Sequence, residues 1–114
     1  MDMVIYAEKA VEFLGDLNHQ ELVRDERTYF AIIRAIEVVG ESAAQVGREQ
    51  LQNYEGVPWN NIIAMRNILI HQYSGISSET IFDTVTDFLP QFIQHIKSLL
   101  EASKWPCLQI LPLS

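Results

Sequence analysis

Arg66, Asn67, His71 and Tyr73 place a permanent cation, an amide, a titratable imidazole and a phenol inside one short stretch of strongly helical pattern. Guanidinium offers phosphate a planar fork of donors, and imidazole, with an unperturbed pKa of about 6.5, moves protons near neutral pH. Together they point to phosphate chemistry, with Arg66 as the cation and His71 as the acid–base group. Bland alternatives stand beside this reading. Arg66 and His71 as a buried ion pair or surface charges, Asn67 as a polar helix residue holding a carbonyl, and Tyr73 as a packed aromatic with a wet hydroxyl all fit the same residues.

Helical geometry limits what one copy of the motif can do. At about 100° per residue, Arg66 and His71 point roughly 140° apart, whereas Asn67 and His71 share one face and Arg66 and Tyr73 another. An intact helix aims both groups at one phosphate only if the arginine arm swings across or the helix loosens near His71. Two copies meeting across a two-fold axis are the third solution, because they pool two arginines in one cleft.

The elements that must position these residues read as helices. Met3, Tyr6, Ala7, Ala10, Phe13, Leu14 and Leu17 recur at helical spacing, predicting an amphipathic helix from about Asp2 to Leu17. Asn18-His19-Gln20 breaks that pattern, leaving His19 in a loop; His95 reads as a helix-surface residue. Asp25 is placed to cap a long helix over about Glu26–Val46, with Phe30, Ile33, Ile36, Val39, Gly40, Ala43 and Ala44 as its buried stripe. Gly40, Ala43 and Ala44 are small enough to let another helix backbone come close. Arg27, Arg34, Glu41 and Arg48 recur every seven residues beside Glu37, forming a charged stripe; its default is a solvated face, and its functional version sets Arg34, Glu37 or Glu41 at the cleft edge.

A short helical piece over about Arg48–Tyr54 precedes the breaker Glu55-Gly56-Val57-Pro58, and Pro58 suits the first turn of the motif helix. Trp59, Ile62, Met65 and Leu69 give that helix its apolar stripe, and Ser74-Gly75 marks its end. Ser77 is placed to cap the last long helix, in which Pro90 removes one amide donor and crowds the Thr86 carbonyl, predicting a kink or break near Leu89. The expectation is an all-α, up-and-down bundle of four main helices plus a short one over residues 1–101, followed by an apolar, Pro-containing tail over 102–114.

Composition sets the outer bounds. With 114 residues the chain has room for one domain, and no stretch approaches the ~20 apolar residues of a membrane span. The start, Met1-Asp2-Met3-Val4, lacks the basic region of a secretory signal, so a cytoplasmic location is expected. Cys107 is the single cysteine, which rules out an intramolecular disulfide and reads as an apolar filler. A formal charge of −7 with eight basic residues counts against a broad nucleic-acid-binding surface, so any polyanion must meet a small local basic site.

The Asp25-Glu26-Arg27-Thr28 helix start, Gly40-Glu41-Ser42-Ala43, Pro58-Trp59, Met65-Arg66-Asn67 and His71-Gln72-Tyr73 occur in an order that resembles the HepT-like toxins of the HEPN domain superfamily. The resemblance runs from about residue 2 to residue 101. It implies a homodimeric, metal-independent endoribonuclease that needs no cofactor, the toxin of a type VII-like toxin–antitoxin pair. Its partner would be an antitoxin nucleotidyltransferase of the MntA type, which silences the nuclease by placing AMP on the motif tyrosine. Carried over by position, Arg66 and His71 match the catalytic pair, Asn67 the polar residue beside the arginine, and Tyr73 the modified tyrosine. Ser77 departs from the acidic cap expected in the family, a change that bears on helix stability more than on chemistry.

With RNA as substrate, His71 would take the proton from a ribose 2′-hydroxyl and Arg66 would stabilise the charge on the five-coordinate phosphate. The motif contains no carboxylate pair to hold a metal ion. An AMP on Tyr73 would add negative charge and bulk beside the phosphate site, repelling and obstructing RNA. The alternative is a non-catalytic helical binding module, a nucleotide-binding or dimerisation partner of a nucleotidyltransferase, in which Tyr73 is modified but no RNA is cut.

Overall fold

Asp25 caps the long helix as its side chain allows: Oδ1 accepts from the Thr28 amide at 3.2 Å and Oδ2 from the Thr28 hydroxyl at 2.8 Å. These two bonds, the hydroxyl first, hold the Asp25 carboxyl below the usual aspartate range. A computed structural model describes residues 2–46, 56–72 and 76–108, and all regular structure among them is helical. Helix α1 spans Asp2–Leu14, α2 His19–Arg24, α3 Glu26–Val46, α4 Trp59–Gln72, α5 Ser78–Asp83 and α6 Leu89–Leu108, the last two joined by a π-helical turn over Thr84–Phe88.

Helix α1 stops at Leu14 rather than Leu17, because Gly15 adopts φ +53°, the left-handed conformation that ends helices. The break at Asn18 holds, but it opens another helix instead of a loop. Asn18 Oδ1 accepts from the Glu21 amide at 2.8 Å and Glu21 Oε1 accepts from the Asn18 amide at 2.9 Å, a reciprocal capping box that starts α2. His19 is therefore helical. Its Nε2 lies 2.9 Å from Ser78 Oγ and its ring stands edge-on to Phe82, which ties α2 to the start of α5. The short helix expected over Arg48–Tyr54 lies outside the described residues.

Ser77 caps α5, its Oγ accepting from the Thr80 amide at 3.1 Å. Pro90 bends the hydrogen-bond pattern without breaking the rod. One turn widens so that the Leu89 amide donates to the Thr84 carbonyl, five residues back. The hydroxyls of Thr84 and Thr86 bond the carbonyls of Thr80 and Phe82 at 2.7 and 3.0 Å, supplying partners where the ladder changes register. Helix α6 continues through Leu108, past the expected limit of the bundle at residue 101. Gln109–Ser114 lie outside the described residues.

Packing places α3 between α1 and α4, with α1 also lying along α6 and α2 bridging α3 to α5. The core is drawn from Met3, Ala7 and Leu14 of α1, Ile32, Ile36 and Val39 of α3, Leu69 of α4, and Ile81, Val85, Leu89 and Ile96 of the final rod. Most of the expected α3 stripe is buried. Phe30 is not: it is 52% exposed, because the buried arc centres on Ile32, Ile36 and Val39, roughly 150° around the helix from Phe30, which leaves Phe30 on the outward side. Ala44 is exposed as well. Among the described residues no helix is long and apolar enough to cross a membrane.

Candidate functional site

Pro58 sets the start of the motif helix, its carbonyl accepting from the Asn61 and Ile62 amides at 3.1 Å each, one residue before α4 begins. Buried Ile62 and Leu69, with half-buried Trp59 and Met65, turn one face of α4 into the bundle as the apolar spacing predicts. This register directs Arg66 toward α3. A Cβ built on Gly40 would lie 2.3 Å from Arg66 Cβ, 2.8 Å from its Cγ and 3.2 Å from the Ile62 carbonyl oxygen. The missing side chain at Gly40 is thus what lets the two helices meet at the arginine.

The arginine itself is half-buried. Its Nε lies out of contact with water and has no hydrogen-bond partner among the described residues. Burying an unpaired donor costs about 1–3 kcal/mol, so such a group calls for a reason. Among the described residues Arg66 joins no ion pair, so the arrangement of a structural salt bridge is absent there.

Arg34, Glu37 and Glu41, expected at the cleft edge, do come together. Arg34 Nη1 lies 3.1 Å from Glu37 Oε1 and 3.1 Å from Glu41 Oε1. The bonds to Glu37 and then Glu41 raise the Arg34 pKa, keeping it cationic. Glu37 precedes Gly40 by three residues and Glu41 follows it, so both carboxylates flank the place where the Arg66 stem crosses α3. Arg48 lies outside the described residues.

Asn67 and His71 are exposed on the outward face of α4. The helix is intact through Gln72, which removes the option that it loosens at His71, and the Arg66 stem lies against Gly40 on the α3 side. Within one chain the two groups therefore diverge. Ile68 and Ile70, 41% and 43% exposed, flank Asn67 and His71 and make the outward face of α4 partly apolar. Tyr73 and Ser74-Gly75 lie outside the described residues.

A separate cleft of about 190 Å³ lies between α3, α4 and the π turn, lined by Ile36, Val39, Ile62, Met65, Phe88 and Leu89 among others; neither Arg66 nor His71 lines it. Among the described residues no three His, Cys, Asp or Glu side chains cluster closely enough to hold a metal ion. The sequence pattern marked the small residues of α3 but not their partner; the Gly40–Arg66 contact and the buried Nε arise only when α4 packs on α3.

Comparison with known proteins bears on this geometry. A family model described as "Ribonuclease HepT-like" matches residues 3–99. The chain is 33% identical over 91 residues to a Methanocaldococcus jannaschii protein named "Putative RNase MJ0127", covering 80% of this chain and 75% of that one. It is 28% identical over 96 residues to another from the same organism, "Putative RNase MJ1380", with 84% and 88% covered. A Thermococcus cleftensis protein named "Probable ribonuclease HepT" is 30% identical over 79 residues, covering 69% and 72%. No solved structure matches.

Proposed function

This chain belongs to the HepT-like ribonuclease family, and from that premise we propose that it is an endoribonuclease toxin, a homodimer that cuts RNA by Arg66/His71 chemistry without needing a metal ion. The observation that carries the reading is Arg66, seated against Gly40 with its Nε dry and with no carboxylate partner among the described residues. Buried arginines usually pair with carboxylates, so an arginine with no such partner among the described residues fits a guanidinium kept for an anionic ligand.

His71 takes the proton of the ribose 2′-hydroxyl, the 2′-oxygen attacks phosphorus, and the bond to the 5′-oxygen breaks as that oxygen acquires a proton. Arg66 stabilises the charge on the phosphoryl oxygens as it builds up. The products are a 2′,3′-cyclic phosphate and a 5′-hydroxyl. Asn67, on the His71 face, orients the phosphate or the imidazole.

Because Arg66 and His71 diverge on one intact helix, the working site combines two copies of α4. Exposed Ile68 and Ile70 support a helix-to-helix contact there, since a helix apolar on more than one side finds a second neighbour. A nucleotidyltransferase antitoxin of the MntA type would transfer AMP to Tyr73, placing a charged, bulky group where RNA must enter. We place the unit that does this at residues 1–101, in a cytoplasmic protein, although α6 runs on past that limit to Leu108.

The test is RNA cleavage by purified protein with its product ends identified. Cyclic-phosphate ends from wild type, and loss of at least 100-fold in rate in a folded His71→Ala variant, are the expected results; a variant that cuts as fast as wild type refutes the assignment. A net charge of −7 favours a second reading, a non-catalytic helical partner of a nucleotidyltransferase. Absence of cyclic-phosphate ends with unmodified wild type would select it.

A further inference from the structure

Seen from α3, Arg66 emerges almost where a side chain of residue 40 would begin, because its Cβ lies 2.3 Å from the position of a Gly40 Cβ. Residue 40 stands three residues after Glu37, the spacing at which acidic and basic side chains on one helix pair readily. Arg34 stands three residues before Glu37. Glu37 thus has Arg34 one turn before it on α3, and the stem of Arg66, brought in by α4, one turn after it. In the structure Arg34 holds Glu37 and Glu41 together at 3.1 Å each, and Arg66 holds neither.

We propose that Arg34 is a positioning residue: it engages the two carboxylates that flank the arginine seat, so that Arg66 stays available to the phosphate instead of closing an ion pair across the α3–α4 contact. The inference rests on the reading of Arg66 as the phosphate-binding cation. Chemistry favours it on two counts. A carboxylate attracts a nearby arginine that lacks a partner less strongly once another cation already bonds it, and the Arg66 stem, set against Gly40, starts one helical turn from Glu37. Glu37 and Glu41 in turn have a structural use for Arg34, which keeps two like charges from repelling along one helix face.

This role is distinct from Arg34 touching RNA, and charge-removing substitutions to Gln separate the two. Arg34→Gln frees both glutamates to capture Arg66 and is expected to slow RNA cleavage at least 10-fold, mainly in kcat. Adding Glu37→Gln and Glu41→Gln removes the captors, and the triple variant is expected to return to within about 3-fold of wild type. The two Gln substitutions alone, with Arg34 present, should change the rate less than 3-fold, which controls for a general gain in RNA affinity from lost negative charge. Arg34→Gln at the wild-type rate overturns the proposal, and so does a triple variant as slow as Arg34→Gln.

A readout independent of cleavage keeps failure of the nuclease reading apart from failure of this one. The Arg66 guanidinium signals, assigned in a nitrogen-15 NMR spectrum by their loss in Arg66→Lys, should shift and exchange more slowly with water in Arg34→Gln. They should revert in the triple variant. Unchanged guanidinium signals across the series overturn the proposal whether or not the wild type cuts RNA.

Discussion

Gly40 and Arg66 occupy one space: a Cβ on the glycine would fall 2.3 Å from the Cβ of the arginine, inside any permitted contact. The colliding atom is the rigid base of the side chain, so no rotamer of Arg66 relieves the clash. Gly40→Ala therefore pits a helix-propensity gain of about 1 kcal/mol against an overpacking cost that forces α3 and α4 apart. The cost should win, with a net loss of up to about 2 kcal/mol in denaturant unfolding and a parallel fall in RNA cleavage as Arg66 moves. An alanine variant at or above wild-type stability would show that the helices are not pressed together here.

Asp25 gives the fold a defined weakness in acid. The Thr28 hydroxyl, and after it the Thr28 amide, stabilise its carboxylate, so the folded chain binds that proton less tightly than the unfolded chain. The stabilisation is complete above the ordinary aspartate pKa of about 3.9 and is lost as pH falls through the lower folded value. Asp25→Asn keeps a capping oxygen that does not titrate. Melting temperatures measured from pH 7 down to about 2.5 should show wild type losing ground to Asp25→Asn below about pH 4, and parallel curves would remove Asp25 as a source of acid sensitivity.

Tyr73 is proposed as the switch, which makes a mass measurement decisive. Co-expression with a nucleotidyltransferase antitoxin should add one or more AMP-sized increments to the intact chain, and Tyr73→Phe should lose them while still cutting RNA. Full modification of Tyr73→Phe would move the acceptor elsewhere.

Local signals in the sequence carried far. Asp25, Ser77 and Pro58 mark helix starts by side-chain chemistry alone, and each sits within one residue of its observed boundary. What escaped depends on two distant segments or on a change of hydrogen-bond register. Asn18 with Glu21 was readable as a capping box, yet the apolar period ended there and concealed a short helix. Pro90 announced a defect but not its form, since a broken helix and a widened turn both satisfy the missing donor. At the site, the type and spacing of Arg66 and His71 were legible, as was the charged stripe that Arg34 forms with Glu37 and Glu41 within α3, whereas the dry Nε depends on how α3 packs against α4.

The divergence of Arg66 and His71 on an unbroken α4 leads to the sharpest test of the composite site. If each cleft takes its arginine from one chain and its histidine from the other, Arg66→Ala and His71→Ala protomers are each inactive alone but complementary together. A mixed dimer then has one cleft with both groups and one with neither. Unfolding and refolding the two variants in equal amounts should leave half the dimers mixed, restoring roughly a quarter of the wild-type rate on RNA. Ile70→Asp on both chains should abolish the recovery by opposing the α4 contact, and light scattering should report monomers of unchanged helical content. No recovery above either variant alone, in a sample shown to contain mixed dimers, would mean that both groups act from the same chain and that the arm of Arg66 crosses α4 to reach His71.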